Sequence, residues 1–214
     1  MYQRAVDTGL WDDPWQRPWP NYDKSLSRAP WHENPWFAKQ LEDAYSDIKD
    51  EYLNVVHKRQ LLSTNPVEDI VESGAWDEFN IVRRGRMNSS SCLLTPKTCA
   101  AVANFKEITG LVDGQQISGE VEWLTLAPGT HLKAHCGTTN KRLTMHLGVI
   151  VPDGPLIRCG NVTRKWEEGK AIVFDDSYEH EVWHHGTEAR VVLYISFWHP
   201  QLWDKIEENT LGPL

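Results

Sequence analysis

The spacing of the apolar residues changes at Gly119, and this change limits the possible folds more than any other feature of the chain. After Gly119 apolar residues recur at every second position, and residues 143–150 show the pattern clearly. One face of this segment carries Leu143, Met145, Leu147 and Val149, and the opposite face carries Thr144, His146, Gly148 and Ile150. A period of two predicts a β-strand, because successive side chains of a strand point to opposite faces of the sheet.

Further short apolar runs follow at 156–159, 171–174 and 190–198. Turn signals separate the runs, at Pro128-Gly129, Asp153-Gly154, Glu168-Gly169 and His185-Gly186. Many short strands without intervening helices are typical of an antiparallel sandwich or barrel. The second half of the chain is therefore predicted to be all-β.

Helical spacing dominates before Gly119. Apolar side chains recur every three or four residues between Phe37 and Val56, so residues 36–62 are predicted to form an amphipathic helix, with Asn34 as N-cap and Pro35 in the first turn. A second helix is expected from Thr95-Pro96 to Gly110; its inward side chains would be Val102, Phe105 and Ile108. Helices followed by strands give an α+β chain.

The first 36 residues contain five of the eleven tryptophans and show neither period. Such a segment cannot form its own core, so we expect its aromatic side chains to cover the following domain. With 214 residues the chain is long enough for one well-packed domain. The predicted division is a Trp/Pro-rich N-terminal arm over 1–35 and one folded domain over 36–214.

Charge and hydropathy restrict the partners. The formal net charge is -8 and no basic stripe offsets it, so nucleic acid is not an expected partner. No apolar run is long enough to span a membrane, and the N-terminus resembles no secretory signal. The expectation is a cytoplasmic protein without membrane contact; its oligomeric state is left open.

Four cysteines, Cys92, Cys99, Cys136 and Cys159, do not have the spacing of a zinc site. Cys92 and Cys99 lie close enough in sequence for a local disulfide in an oxidising compartment. In reducing cytosol free thiols are favoured.

Seven of the nine histidines follow residue 130. His135 and His180 each adjoin a predicted strand, and a small barrel can bring two such residues into one mouth. Two imidazoles suit iron, zinc, copper or nickel. The carboxylate that many non-haem iron oxygenases carry two residues after the first histidine is absent, because Gly137 occupies that position.

Arg190 opens the last long strand, whose other residues are largely apolar. Inside a barrel its guanidinium would be an unpaired buried charge, which a ligand carboxylate could compensate. The alternative is an arginine at the rim, solvated or paired with Asp175, Asp176 or Glu188. His146 could reach the same cavity, or it could be an ordinary buried strand histidine.

Several ordered segments resemble the catalytic domain of the aspartyl/asparaginyl β-hydroxylase family of iron(II)- and 2-oxoglutarate-dependent dioxygenases. The resemblance spans about 36–203, and its segments are RGRMN, PKTC, PGTHLKAHCGTTNKRLTMHLGVIVP, IRCGNVTRKWEEGKAIVFDDSYEHEVWH and FWHP. It implies a double-stranded β-helix, a jelly-roll or cupin-like core, with the N-terminal helices packed on one sheet. It also implies that the enzyme consumes O2 and 2-oxoglutarate, releases succinate and hydroxylates an unactivated carbon.

The resemblance assigns roles to individual residues. The iron ligands would be His135 and His180, with Gly137 typical of the family; Arg190 and His146 would contact 2-oxoglutarate. Arg142 corresponds to an arginine on the substrate side, where Arg84 also belongs. Cys92 and Cys99 correspond to a cysteine pair that the mammalian enzymes oxidise, which raises the expectation of a bridge.

Four differences from the mammalian pattern bear on function. Thr144 replaces a second cosubstrate arginine, and Leu124 replaces a serine beside the distal carboxylate; Glu122 replaces a lysine, and Arg83-Arg84 replaces polar amides. The last two changes lie toward the substrate, so we expect a small molecule or amino-acid derivative, such as one from specialised metabolism.

Two alternatives to the dioxygenase remain, and the changes at positions 144 and 124 motivate the first. One is a metal-dependent isomerase or cyclase that does not consume 2-oxoglutarate. The other is a binding module that has kept the fold and lost turnover.

Overall fold

In a computed structural model, which describes residues 6–64, 69–116 and 119–214, the chain forms two main β-sheets and a layer of short helices. The strands are β1 Trp31–His32, β2 Ser63–Thr64, β3 Val71–Ser73, β4 Trp76–Arg83, β5 Arg86–Met87, β6 Leu111–Val112, β7 Val121–Leu126, β8 His131–His135, β9 Arg142–Ile150, β10 Pro155–Cys159, β11 Val162–Arg164, β12 Ala171–Phe174, β13 His180–His184, β14 Arg190–Trp198 and β15 Ile206–Glu207.

The larger sheet has the strand order β1-β12-β9-β14-β7-β4-β2, with β5 paired to β4. The smaller sheet has the order β11-β10-β13-β8-β3, and β6 pairs with β15. All of these pairs are antiparallel. Between β7 and β14, consecutive strands alternate between the two sheets except for β10 and β11, which lie in the same sheet, and this connectivity produces the predicted jelly-roll core.

The two faces of the larger sheet bury different clusters. One cluster contains Leu143, Met145, Leu147 and Val149 of β9 together with Phe37, Leu41 and Ile48 of the helical layer. The other cluster joins the two sheets, through Leu126 and Val192 on one side and Ile157 and Val182 on the other. The helices therefore pack on one sheet, as predicted, and the space between the sheets is left for a site.

The helical layer is more broken than the sequence predicts. Instead of one helix over 36–62, α1 Ala38–Asp43 and α2 Tyr45–Glu51 are followed by a π-helical segment, Tyr52–His57. The N-cap of α1 is Phe37 rather than Asn34, and it makes no side-chain capping bond. The predicted apolar stripe is nevertheless correct, because Phe37, Leu41, Ile48, Tyr52 and Val56 are all buried.

The second predicted helix is also divided. The structure has α3 Ser89–Leu94, which the sequence analysis missed, then α4 Pro96–Val102 and α5 Lys106–Thr109. Phe105 adopts an extended conformation between α4 and α5, and its ring stacks on Phe37 with 4.9 Å between centroids. Tertiary packing of this ring thus outweighs local helical preference.

Strands also occur before Gly119, where only helices were predicted. β4 is a central strand of eight residues that pairs with β7 along most of its length. Its polar residues, among them Glu78 and Asn80, interrupt the apolar alternation that reveals a half-buried strand.

The arm is held by polar contacts more than by its tryptophans. Gln16 is fully buried, and its amide donates to Asp175 Oδ2 at 3.0 Å and to Ser177 Oγ at 3.1 Å. Trp19 remains 65% exposed, and Trp15 and Trp36 are also exposed. The expectation that all the aromatic rings would be covered is wrong for these three; residues 1–5 of the arm lie outside the described residues.

Cys92 and Cys99 form a disulfide, with 5.5 Å between their Cα atoms, whereas Cys136 and Cys159 are free thiols. The bridge that the family resemblance favours is therefore present, and the free thiols expected in a reducing cytosol occur only at Cys136 and Cys159. Cys92 belongs to α3 and Cys99 to α4, so the bond ties these two short helices together. Across the described ranges, no helix has the length and apolar character needed to cross a bilayer.

Candidate metal and 2-oxo acid site

His135 ends β8 and His180 begins β13, and the two residues are directly opposed in the antiparallel pair. Their ring centroids are 4.0 Å apart. The two histidines are 45 positions apart in sequence, and the pairing of β8 with β13 brings them together. The structure brings together the two histidines that the sequence analysis selected.

Both rings are oriented by the same kind of backbone bond. His135 Nδ1 lies 2.7 Å from the carbonyl oxygen of Lys133, and His180 Nδ1 lies 2.9 Å from that of Tyr178. Because a carbonyl only accepts, each Nδ1 donates its hydrogen, and Nε2 is left as the nitrogen that can coordinate a metal. This is the arrangement in which neighbouring groups fix a histidine as a metal ligand.

Burial, followed by the nearby His135, lowers the pKa of His180 to about 4. The ring is therefore neutral at physiological pH. A neutral imidazole is the form that coordinates metals.

Asp176 occupies the space that Gly137 leaves empty. A Cβ atom on Gly137 would lie 2.5 Å from Asp176 Oδ1, and the Gly137 N–H donates to the Asp176 carbonyl at 2.6 Å. Asp176 Oδ2 accepts from Arg142 at 2.9 Å, whereas Oδ1 is buried without a hydrogen-bond partner. Within the described residues, no three His, Cys, Asp or Glu side chains form a metal-binding group.

Arg190 lies inside the barrel and not at its rim. The residue is 2% exposed, and its Nε and Nη1 atoms have no hydrogen-bond partner. Burial lowers the pKa of its guanidinium to about 9. None of the carboxylates proposed for a rim arginine pairs with it: Asp176 binds Arg142, and Asp175 binds Gln16 and Ser177.

One face of the Arg190 guanidinium is covered by an indole. Its Cζ atom lies 4.5 Å from the centroid of Trp166. The Trp166 Nε1–H in turn donates to His146 Nδ1 at 3.2 Å, and the rings of Trp166 and His146 are inclined by only 18°. His146 is buried, which lowers its pKa well below the ordinary value.

A cavity of about 300 Å³ contains these groups. Its wall includes His135, His180, His146, Arg190, Asp176, Thr144 and Leu124. The Thr144 hydroxyl is buried and has no hydrogen-bond partner. The cavity thus combines two histidines whose Nδ1 atoms are held by backbone carbonyls with a guanidinium whose Nε and Nη1 atoms have no hydrogen-bond partner.

A second cavity of about 570 Å³ adjoins the first and shares Glu122, Arg142 and Tyr194 with it. Arg142 therefore lies between the two, where the nearby Asp176 carboxylate raises the pKa of its guanidinium. Arg84 lines only the second cavity. It lies in the hairpin turn between β4 and β5 with a φ of 51°, and its backbone N–H donates to Glu120 Oε1 at 2.9 Å.

The sequence does not predict the roles of two residues of this site. It indicates Asp176 only as a possible ion-pair partner of Arg190, and it does not indicate Trp166 as a site residue. The position of Asp176, four residues before His180 in a chain with glycine at 137, is a signal that could have identified it. Trp166 lies in a loop after β11, and no periodic pattern marks it.

Comparison with known proteins agrees with the geometry. The sequence profile described as aspartyl/asparaginyl beta-hydroxylase matches residues 42–200. The aspartyl/asparaginyl beta-hydroxylase of Mus musculus is 39% identical over 94% of this chain and 27% of the mouse protein, and the Homo sapiens protein is 38% identical over 94% and 26%. This chain thus spans about a quarter of the length of these two relatives.

A bacterial protein is similar over a larger share of its own length. The ornithine lipid ester-linked acyl 2-hydroxylase of Rhizobium tropici is 36% identical over 78% of this chain and 58% of that protein. Among solved structures, a Pseudomonas putida prolyl-4-hydroxylase aligns over 93% of this chain and 99% of its own, with 14% identity and a TM-score of 0.47. Since the profile covers most of the chain and the histidines lie within it, the chain belongs to the aspartyl/asparaginyl beta-hydroxylase family.

Proposed function

We propose that this protein is an iron(II)- and 2-oxoglutarate-dependent dioxygenase that hydroxylates an unactivated carbon of a small molecule or amino-acid derivative. The observation that carries the proposal is the buried Arg190, whose unpaired guanidinium faces the same cavity as His135 and His180. A dicarboxylate that reaches from a metal on the histidines to the arginine accounts for both groups at once.

The histidines fit an iron ion. Both Nε2 atoms are free while both Nδ1 atoms are held by carbonyls, so the ligand atoms are oriented before any metal arrives. Two protein ligands leave positions for the 2-oxo acid and for O2. The metal would supply the redox chemistry that activates O2, and the residues around it would bind, orient and exclude water.

Asp176 would act beside the metal rather than on it. Its unpartnered Oδ1 lies in the gap at Gly137, and its other oxygen is tied to Arg142. A carboxylate in this position can accept a hydrogen bond from a water on the metal. Arg142 would then hold the Asp176 carboxylate in position, and it would separate the metal cavity from the adjoining cavity that binds the substrate.

Arg190 would bind the distal carboxylate of 2-oxoglutarate. An unpaired buried guanidinium costs several kcal/mol, and an ion pair with the diacid would recover part of this cost. His146 would add a hydrogen bond: its Nδ1 accepts from Trp166, so its hydrogen is on Nε2.

Thr144 and Leu124 line the same cavity as Arg190, and neither side chain carries a charge that could bind a carboxylate of 2-oxoglutarate. The Thr144 hydroxyl can donate one hydrogen bond to the 2-oxo acid, whereas Leu124 can donate none. Retention of the diacid would therefore depend on Arg190 more strongly than in an enzyme with an arginine and a serine at these two positions.

The substrate would enter through the second cavity, between Arg84 and Arg142. Arginine and glutamate side chains share its wall, so a polar or zwitterionic molecule fits it better than a hydrocarbon chain. The proposal of a small substrate also agrees with the negative net charge, which disfavours nucleic acid. A cytoplasmic location is part of the proposal, and it requires the Cys92–Cys99 disulfide to persist in a reducing compartment.

The decisive assay combines purified protein, iron(II), 2-oxoglutarate and O2, with candidate amino acids and peptides as substrates. Succinate formed in proportion to a hydroxylated product supports the dioxygenase. Product formed without 2-oxoglutarate or O2 would instead support the metal-dependent isomerase. A protein that binds no iron and releases no succinate would support the binding module.

A further inference from the structure

Trp166 contacts both groups that the proposed function assigns to 2-oxoglutarate, yet it does not line the cavity. It lies behind Arg190 and His146 and is buried, with 3% of its surface exposed. We infer that Trp166 is a positioning residue that holds the Arg190 guanidinium under its ring face and fixes the tautomer of His146 through its indole N–H.

The first role of the Trp166 ring is to cover the buried charge of Arg190. The negative face of an indole offsets part of the cost of burying a guanidinium, and it does so without a formal charge. A carboxylate in the place of Trp166 would neutralise Arg190 and compete with the diacid. Stacking therefore orients Arg190 and leaves Nε and Nη1 without a protein partner.

The second role of Trp166 is to determine which nitrogen of His146 carries the hydrogen. The indole nitrogen can only donate, so His146 Nδ1 must accept, and the neutral ring carries its hydrogen on Nε2. The 18° inclination between the two rings agrees with a hydrogen bond in the ring plane. Without this donor either tautomer could form, and one of them would present a lone pair to a ligand carboxylate.

A glycine on the neighbouring strand allows the tryptophan loop to approach. Gly148 lies two residues after His146 in β9, and a Cβ atom there would be 2.2 Å from the backbone oxygen of Glu167. The Gly148 N–H donates to the Lys170 carbonyl, and the Gly169 N–H donates to the Gly148 carbonyl, at 3.0 and 2.9 Å. The loop is thereby fixed directly next to Trp166.

The inference rests on the proposed function for the identity of the ligand, and two variants test it. Trp166→Phe keeps an aromatic face but loses the N–H donor, whereas Trp166→Leu loses both. The matched control is Trp31→Phe: Trp31 stacks on Arg164 at 4.3 Å, and neither residue lines the cavity.

The first measurement is the ¹⁵N NMR spectrum of histidine-labelled protein without metal. In the wild type and in Trp31→Phe we expect His146 as a single Nε2–H tautomer, and in both Trp166 variants a mixture. A single unchanged tautomer in a folded Trp166→Phe protein would overturn this second role of Trp166. The result does not depend on any ligand.

The second measurement is anaerobic calorimetric titration of the iron(II)-loaded protein with 2-oxoglutarate. We expect the dissociation constant to rise about threefold to tenfold in Trp166→Phe, about thirtyfold in Trp166→Leu, and not at all in Trp31→Phe. Wild-type affinity in both Trp166 variants would overturn the inference. If the wild type itself fails to bind 2-oxoglutarate, the proposed function fails, whereas the tautomer result still decides the role of Trp166.

Trp166→Leu removes a large buried ring and can prevent folding. In that case Trp166→Phe decides alone, since it preserves most of the buried volume. Its thermal unfolding midpoint is measured beside that of Trp31→Phe to separate a loss of stability from a loss of ligand affinity.

Discussion

Gly137 and Asp176 share one space: a Cβ atom on the glycine would be 2.5 Å from the Oδ1 atom of the aspartate. Asp176 enters this space from the segment between β12 and β13, and Arg142 holds its other oxygen. The space beside Gly137 is therefore filled by a carboxylate from position 176, although this carboxylate and the two histidines do not form a three-residue metal-binding group within the described residues.

This contact predicts that Gly137→Ala is destabilising although alanine is small. The new methyl group would displace Asp176 and disturb its ion pair with Arg142, at a cost of about 1–3 kcal/mol. Urea denaturation measures the free energy of unfolding. Gly129→Ala provides a comparison, because a Cβ there meets no atom within 4 Å, although its positive φ makes some loss expected. Equal or smaller losses at position 137 would contradict the close packing.

His180→Ala should abolish stoichiometric iron binding while the protein stays folded. The ring is neutral in the folded state, so its removal leaves no buried charge unpaired. Metal analysis after iron loading and gel filtration gives the result. His131→Ala is the matched control, because His131 lies at the other end of β8 and binds Glu72 and Glu181 at 2.7 and 2.8 Å. Iron retained by His180→Ala would refute the assignment.

Arg190→Met should separate stability from ligand binding. Methionine removes an uncompensated buried charge, so the ligand-free protein should unfold at an equal or higher temperature than the wild type. Iron should still bind. The stabilisation that 2-oxoglutarate gives the wild type should disappear, which thermal scans with and without the diacid detect. An unchanged response to 2-oxoglutarate would mean that Arg190 does not bind it.

Glu122 gives a prediction for pH. Burial, followed by the charges of Glu78 and Glu120, raises its pKa to about 8. The folded protein therefore holds a proton that the unfolded chain releases near its ordinary pKa of 4.5. The contribution of Glu122 to the free energy of unfolding is therefore fully present below pH 4.5, and it is lost as the pH rises toward 8.

The comparison for this prediction is Glu122→Gln, which cannot titrate. The free energy of unfolding of the wild type should fall relative to that of the variant between pH 5 and pH 8, as measured by urea denaturation across this range. Parallel curves for the two proteins would show that Glu122 is solvated in the folded state.

The number of reactive thiols tests the disulfide between Cys92 and Cys99. Without reductant, the denatured protein should react with two equivalents of a thiol reagent, at Cys136 and Cys159, and with four equivalents after reduction. Closing so short a loop should stabilise the fold by about 2 kcal/mol. Four reactive thiols before reduction would show that the pair is open in the isolated protein.

The parts of the fold that the sequence reveals are those with a simple period. β9 is recognisable because apolar residues recur at every second position, and β14 because it is a nearly continuous apolar run; the stripe from Phe37 to Val56 marks the helical layer. β4 was missed because Glu78 faces a cavity, and a cavity wall permits polar residues where a core does not. The break at Phe105 was missed because it depends on stacking with Phe37, which is distant in sequence.

The candidate site divides in a similar way. His135, His180 and Arg190 could be selected because an unusual residue type at a strand end, or within an apolar strand, is itself a signal. Trp166 and Asp176 act through contacts with residues on other strands, and the contact of Trp166 with His146 has no counterpart in residue spacing. Arg84 was grouped with the site but lines only the adjoining cavity.

The central claim is that two imidazoles and one guanidinium bind iron and a diacid in a single cavity. A crystal structure of the protein with iron(II) and 2-oxoglutarate, prepared without oxygen, tests it most directly. We expect the metal on the Nε2 atoms of His135 and His180, and the distal carboxylate hydrogen-bonded to Arg190. Iron bound elsewhere, or a diacid that does not reach Arg190, would contradict the account.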